Sequence, residues 1–203
     1  MNIGLPWWHG CKDRRMKRLL LRLGLLISRY RIVGSTDVRA AVFVGAPHTS
    51  NWDFFAGVAI MWHLGLPMRI LVKKEMFSGP RGWLLRALGA MPLDRKNPGN
   101  VVEDLARLAK ESTGGFALVL AAEGTRSETK YWKSGFYRIA QQAGLPIVLG
   151  FVDGPTRTVG IGPVFHPSGD ISADMDIVRD FYSDKHGIKP KALVPPRLRE
   201  EDA

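Results

Sequence analysis

Cysteine is all but missing from this sequence: Cys11 is the one example in 203 residues. That excludes an internal disulfide framework and any cysteine-built metal site, and it fits a reducing compartment. Acidic residues are also scarce, with 19 Asp and Glu against 29 Lys and Arg, so the formal charge is +10. Long hydrophobic runs are missing as well. The leucine-rich stretch Leu19–Ile27 is interrupted by Arg22, whereas a spanning helix needs about 20 mostly apolar residues. That arginine, with no small-residue cleavage site after it, argues against a cleaved signal peptide. There is no internal repeat, no sign of a second domain and no Gly-x-Ser-x-Gly elbow, so Ser50 reads as a helix cap and not as a nucleophile. Neither His63 nor His166 has a cysteine or second histidine at ligand spacing, and no metal is expected. The remaining composition, 45% hydrophobic, is ordinary for one compact domain.

The excess charge is local. Residues 1–31 hold eight Lys and Arg against the single acid Asp13. A leucine-rich helix carrying those charges, preceded by Trp7 and Trp8, suits the plane of an anionic bilayer surface. Residues 1–31 are therefore expected to form a basic amphipathic membrane-surface segment, placing the protein peripherally on the cytoplasmic face. Two other uses stay open, a helix packed on the domain with solvated charges and a surface for nucleic acid or a partner.

Beyond this segment strands and helices alternate. Apolar runs predict strands at Ala41–Ala46, Met68–Val72, Ala90–Leu93, Phe116–Leu120, Pro146–Val152 and Thr158–Ile161. Helical spacing links Phe54, Val58, Met61 and Trp62, with Ser50 or Asn51 as N-cap, and again Val101, Val102, Leu105, Leu108 and Ala109 after Asn97-Pro98. Pro80 and Gly89 bracket a short helix, Gly135 and Gly144 another, and Ser172 or Asp174 caps a last one ending near Tyr182. The reading is an α/β fold, a single domain over 32–188 with a mainly parallel sheet flanked by helices. The Pro- and charge-rich residues 189–203 read as a loose tail.

Two motifs carry chemistry. His48 and Asp53 stand five residues apart, after one strand and before a helix. An Asp carboxylate at that turn can hold Nδ1–H of the histidine and leave Nε2 free as a base. Glu123-Gly124-Thr125-Arg126 follows another strand and offers an acid, a hydroxyl and a guanidinium. Ligands of open parallel sheets bind beyond the carboxyl ends of the strands, where both motifs fall.

These residues resemble the glycerolipid acyltransferase family, the lysophosphatidic acid acyltransferase-like group, over roughly residues 30–165. His48 and Asp53 match its His-x-x-x-x-Asp motif. Lys74-Glu75, Pro80, Gly82, Gly89 and Arg95 resemble its second block, and Glu123–Ser127 with Lys133 and Gly135 its third. Gly144–Val148 is similar to the fourth. The chain departs at Pro47, where the family often has Asn, at Trp132, often Phe, and at Leu149-Gly150, where Pro often follows.

The resemblance implies transfer of an acyl group from a thioester, acyl-CoA or acyl-carrier protein, to a lysolipid hydroxyl without a bound cofactor. His48 would be the general base and Asp53 its orienting partner. Arg126 and Arg95 would clamp an anionic head group, with Gly124 and Thr125 beside them. Glu123 would orient Arg126 or the acceptor hydroxyl, and Lys74 and Pro146 would lie on the acyl-donor side. The acceptor stays open between lysophosphatidic acid and a lyso-aminolipid. A lipid hydrolase using the same His–Asp pair and a basic nucleic-acid binder are the competing readings; no nucleic acid partner is expected, because the basic run lacks interleaved aromatics.

Overall fold

The computed structural model describes residues 14–93, 101–112 and 115–202. Trp7, Trp8, Arg95, the Asn97-Pro98 start of the fourth helix and Gly114 lie outside these residues. The described elements are α1 (Arg14–Ser28), β1 (Arg31–Val33), β2 (Ala40–Ala46), α2 (Trp52–Leu64), β3 (Met68–Lys73), α3 (Gly79–Ala87), β4 (Ala90–Leu93), α4 (Val101–Glu111), β5 (Phe116–Leu120), α5 (Gly135–Ala143), β6 (Ile147–Asp153), β7 (Thr158–Phe165) and α6 (Ile171–Tyr182). Short 3₁₀ turns follow at Lys74–Phe77 and Arg199–Asp202.

One seven-stranded sheet has the order β1-β7-β6-β2-β5-β3-β4. The strands β6, β2, β5, β3 and β4 are mutually parallel, while β7 pairs antiparallel with β6 and carries β1 parallel to itself. The β2 sequence, Ala-Ala-Val-Phe-Val-Gly-Ala, is apolar throughout because a central parallel strand is covered on both faces. Its Val42 and Val44 join the core formed with Leu105, Phe136, Tyr137, Met175 and Val178 of α4, α5 and α6. Ala41 and Phe43 point the other way, onto Val58, Ile60 and Met61 of α2. Helices therefore cover both faces, as expected of an α/β sheet.

Three expectations are corrected. Arg31, assigned to the N-terminal segment, begins β1 and pairs with Thr158. The cap of α6 is neither Ser172 nor Asp174 but Asp170, whose carboxylate accepts from Ala173 N at 3.0 Å. Asp174 is turned into the core instead, where Tyr137 Oη donates to it at 2.7 Å. The segment 189–202 is not loose. Leu198 is fully buried, Trp132 N donates to Arg197 O at 2.8 Å, and Arg179 pairs with Glu201. Composition reads such a stretch as loose because its charges look solvated; here they meet opposite charges on the domain.

The helix α1 stands apart in character. Lys17, Leu21 and Leu25 are half-buried at four-residue spacing, while Leu19, Leu20, Leu23, Leu26 and Ile27 are exposed. The helix rests against α2 along a narrow stripe and presents most of its apolar surface outward.

Candidate active site

The strand β2 ends at Ala46 and α2 begins at Trp52, so the five residues Pro47–Asn51 form a turn at the carboxyl edge of the sheet. Asp53, in the first turn of α2, reaches back and organises it. Its Oδ2 accepts from Thr49 N at 2.7 Å and from Ser50 N at 2.8 Å, and lies 2.9 Å from His48 Nδ1. A carboxylate only accepts, so Nδ1 carries the hydrogen of this contact, and in the neutral imidazole the lone pair is then on Nε2. The His48 side chain is 26% exposed and that of Asp53 11%, so the acid is sheltered while the imidazole reaches solvent. Ser50 Oγ accepts from Trp52 N at 3.2 Å, a bond within the turn, while the N-cap position of α2 falls to Asn51, whose side chain makes no capping bond.

Next to β2 lies β5, with Val44 level with Leu120. The chain leaving β5 therefore delivers Glu123 to the His48 turn. Glu123 is buried; its Oε1 accepts from His48 N at 3.0 Å, and its Oε2 forms an ion pair with Lys191 Nζ. Of the two roles expected of Glu123, orienting Arg126 or an acceptor hydroxyl, the first is not what its carboxylate does here, since its oxygens hold His48 N and Lys191. Arg126 is exposed and donates from Nη1 to Asn51 Oδ1 at 2.9 Å, which ties the second motif to the first turn. Between them Gly124 has φ +67°, and a Cβ there would stand 3.1 Å from Lys133 Cγ, so the close passage suits glycine. Thr125 Oγ1 accepts from Ser127 N at 3.2 Å.

His48, Asp53, Glu123, Gly124, Thr125 and Arg126 are therefore brought to one sheet edge. Lys74 follows β3 at the same edge, two strands away from β2, a separation of about 10 Å. Pro146 is not part of this site. It precedes β6 at the opposite edge, its carbonyl accepting from Val42 N at 3.0 Å, roughly 16 Å along the strand from the level of Ala46. Parallel pairing of β6 with β2 forces this: the residue before one strand cannot meet the residue after its neighbour. Arg95 lies outside the described residues.

Sequence reasoning missed Lys191, Asn51 and Thr49. Thr49 is buried and its Oγ1 accepts from Ile188 N at 3.0 Å and Lys189 N at 3.1 Å. No local signal marks Lys191, because its partner is 68 residues away. Below the turn Tyr182 Oη lies 2.9 Å from Val44 O and 2.8 Å from Gly150 O, and burial pushes its pKa well above the ordinary value. Among the described residues no group of three or more His, Cys, Asp or Glu is arranged to hold a metal ion. A sheltered acid, an accessible imidazole and a guanidinium at one edge can deprotonate a hydroxyl whose parent molecule carries an anion.

Residues 29–149 match the family model described as Acyltransferase. Two curated relatives are similar in sequence. The chloroplastic 1-acyl-sn-glycerol-3-phosphate acyltransferase BAT2 of Brassica napus is 29% identical over 165 residues, covering 77% of this chain and 46% of the relative. The chloroplastic 1-acyl-sn-glycerol-3-phosphate acyltransferase LPAT1 of Arabidopsis thaliana is 27% identical over 128 residues, covering 61% and 34%. The chain thus spans less than half the length of either. Among solved structures, the 1-acyl-sn-glycerophosphate acyltransferase PlsC of Thermotoga maritima superposes with a TM-score of 0.55 at 17% identity, over 85% of this chain and 79% of that one. That likeness extends to the fold.

Proposed function

Because the chain belongs to the acyltransferase family, we propose that it moves a fatty acyl group from an acyl thioester to the hydroxyl of lysophosphatidic acid or a similarly anionic lysolipid. The observation that carries this reading is the His48 Nδ1–Asp53 Oδ2 contact of 2.9 Å beside Arg126. In the proposed reaction His48 Nε2 takes the proton of the acceptor hydroxyl as its oxygen attacks the thioester carbonyl. Asp53 holds the imidazolium that forms. The C–S bond then breaks, the thiolate leaves with the electron pair, and His48 returns the proton to sulfur. Arg126 gives the acceptor's anionic group a forked donor. The donor is acyl-CoA or acyl-carrier protein, used as co-substrate.

We further propose that the enzyme works peripherally on an anionic membrane surface, at the cytoplasmic face. The exposed leucines of α1 among its basic residues support this, and so do exposed Trp52 and Phe55 on α2 and Trp83 and Leu84 on α3. Among the described residues no helix is long and apolar enough to cross a membrane.

The test is incubation with acyl-CoA or acyl-carrier protein and a panel of lysolipids, read by mass spectrometry. Diacyl product is expected from an anionic lysolipid, and His48→Ala is expected to lower the rate by about 10²-fold or more. Free fatty acid without diacyl product would mean hydrolysis, and a His48→Ala rate above about a tenth of wild type would remove histidine from the base role.

A further inference from the structure

We infer that the segment His186–Leu198 braces the catalytic turn, with Lys191 as a positioning residue that acts on His48 through Glu123. The inference rests on the acyl-transfer reading of the site. The matched family residues end at 149, so the segment lies outside them. Yet it is fastened to the turn and to the strands on either side. The Asp153 carboxylate at the end of β6 accepts from His186 N at 3.0 Å, and Gly154 N donates to Gly187 O at 2.8 Å. Thr49, the residue after His48, accepts from two successive amides of the segment, Ile188 and Lys189. The close passage depends on Gly187: its φ is +72°, and a Cβ would fall 2.6 Å from Thr49 Cγ2. At the far end the carbonyl of Arg197 accepts from Trp132 N, and Leu198 is fully buried.

Between these anchors the brace is not held by continuous packing. A cavity of about 390 Å³ opens there, lined by Pro47, Glu123, Trp132, Tyr182, Lys191 and Leu193 among others. In this stretch the Lys191–Glu123 ion pair ties the segment to the turn, and Arg179 Nη1 holds Pro196 O at 3.2 Å nearer its end. The side chains of Lys191 and Glu123 are 12% and 7% exposed, so each shields the other from an otherwise costly burial. The pairing gives each carboxylate oxygen of Glu123 its own partner, the His48 amide on Oε1 and the lysine on Oε2. Without the cation, Glu123 is left as a buried carboxylate with no counter-charge, so it turns toward water and releases His48 N. The turn then loses the bond at His48 N itself, while Asp53, the Thr49 hydroxyl and Arg126 still hold its later residues.

Two readouts on the full chain test this, using Lys191→Met, Lys191→Arg, Glu123→Gln and the double variant Glu123→Gln/Lys191→Met. Hydrogen exchange of the peptide covering 47–51 should speed up in Lys191→Met while the core strands stay protected. It should return toward wild type in Lys191→Arg, and in the double variant, whose glutamine oxygen accepts from His48 N with no buried charge left over. Steady-state acylation of lysophosphatidic acid should show kcat reduced by about 10–100-fold in Lys191→Met. Both KM values should stay within about threefold, and Lys191→Arg should restore kcat. Unchanged exchange at 47–51 would overturn the inference, as would a raised KM with unchanged kcat, which would make Lys191 a substrate contact. Should Lys191→Met fail to fold, slow exchange in the double variant with kcat restored above that of Glu123→Gln alone would support the brace, and fast exchange there would overturn it. If no lysolipid is acylated by the wild type, the acyl-transfer reading fails, and the exchange data decide the brace separately.

Discussion

Replacing Asp53 by Asn changes one oxygen for an amide and tests most of what the turn does. Oδ2 accepts three hydrogen bonds, from Thr49 N, Ser50 N and His48 Nδ1, at 2.7, 2.8 and 2.9 Å. A bond to a charged acceptor contributes about 1.5–3 kcal/mol and a neutral one about 0.5–1.5, so neutralising the acceptor costs about 1 kcal/mol for each, or about 3 in all. The amide oxygen must take the place of Oδ2, because all three partners donate. The NH₂ then occupies the place of Oδ1, which is buried without a hydrogen-bond partner among the described residues, and stranding a donor there adds about 1 kcal/mol or more. Folding free energies of about 5–15 kcal/mol absorb a loss of this size at 25 °C, so the variant should fold with its Tm lowered by about 10 °C. Catalysis should suffer separately. At 2.9 Å and an effective dielectric of about 20, an imidazolium and a carboxylate attract by on the order of 6 kcal/mol. Partial exposure of His48 and the residual dipole of the amide reduce the loss to about 3 kcal/mol, or about 10²-fold in kcat. Circular-dichroism melting and steady-state acylation measure the two effects. A variant that melts within about 2 °C of wild type and turns over within about threefold of it would refute both the organising role and the electrostatic one.

Arg126→Ala should raise the KM for an anionic lysolipid while leaving the KM for the thioester donor little changed; equal impairment with a neutral acceptor would make Arg126 structural. Its present partner, Asn51, is exposed, so the fold should tolerate the change. Replacing Arg14, Arg15, Lys17 and Arg18 together by Gln should release the protein from anionic vesicles in co-sedimentation while sparing turnover of a short-chain soluble acceptor. Wild-type docking should itself weaken with salt, since the electrostatic part reaches about 8 Å at physiological ionic strength. Burial, aided by its bond to Asp174, pushes the Tyr137 hydroxyl up to about 12. A raised folded-state pKa contributes stability that is complete below the unfolded value near 10 and is lost as pH climbs through the folded one. The melting temperature should therefore fall between about pH 10 and 12, and Tyr137→Phe should lessen that fall.

Much of the fold was legible in the chain because its signals are local. The apolar runs of β2, β5 and β6 mark strands buried on both faces, and the helices between them leave a parallel sheet as the consistent arrangement. The five-residue spacing of His48 and Asp53 across one turn likewise specified their contact, since a strand end and the first turn of the next helix are held together by the chain itself. Sequence determined these because each depends on neighbours a few residues away. Tertiary structure alone decided the rest. The order of strands put β5 beside β2, so that Glu123 meets His48 N and Arg126 meets Asn51. The return of the chain after α6 gave Glu123 its cation and turned an apparently loose, proline-rich end into part of the site's wall. Such pairings join residues about 70 and more positions apart, and what each contributes depends on which donor or counter-charge stands opposite it, a quantity that no residue carries until the fold has chosen its partner.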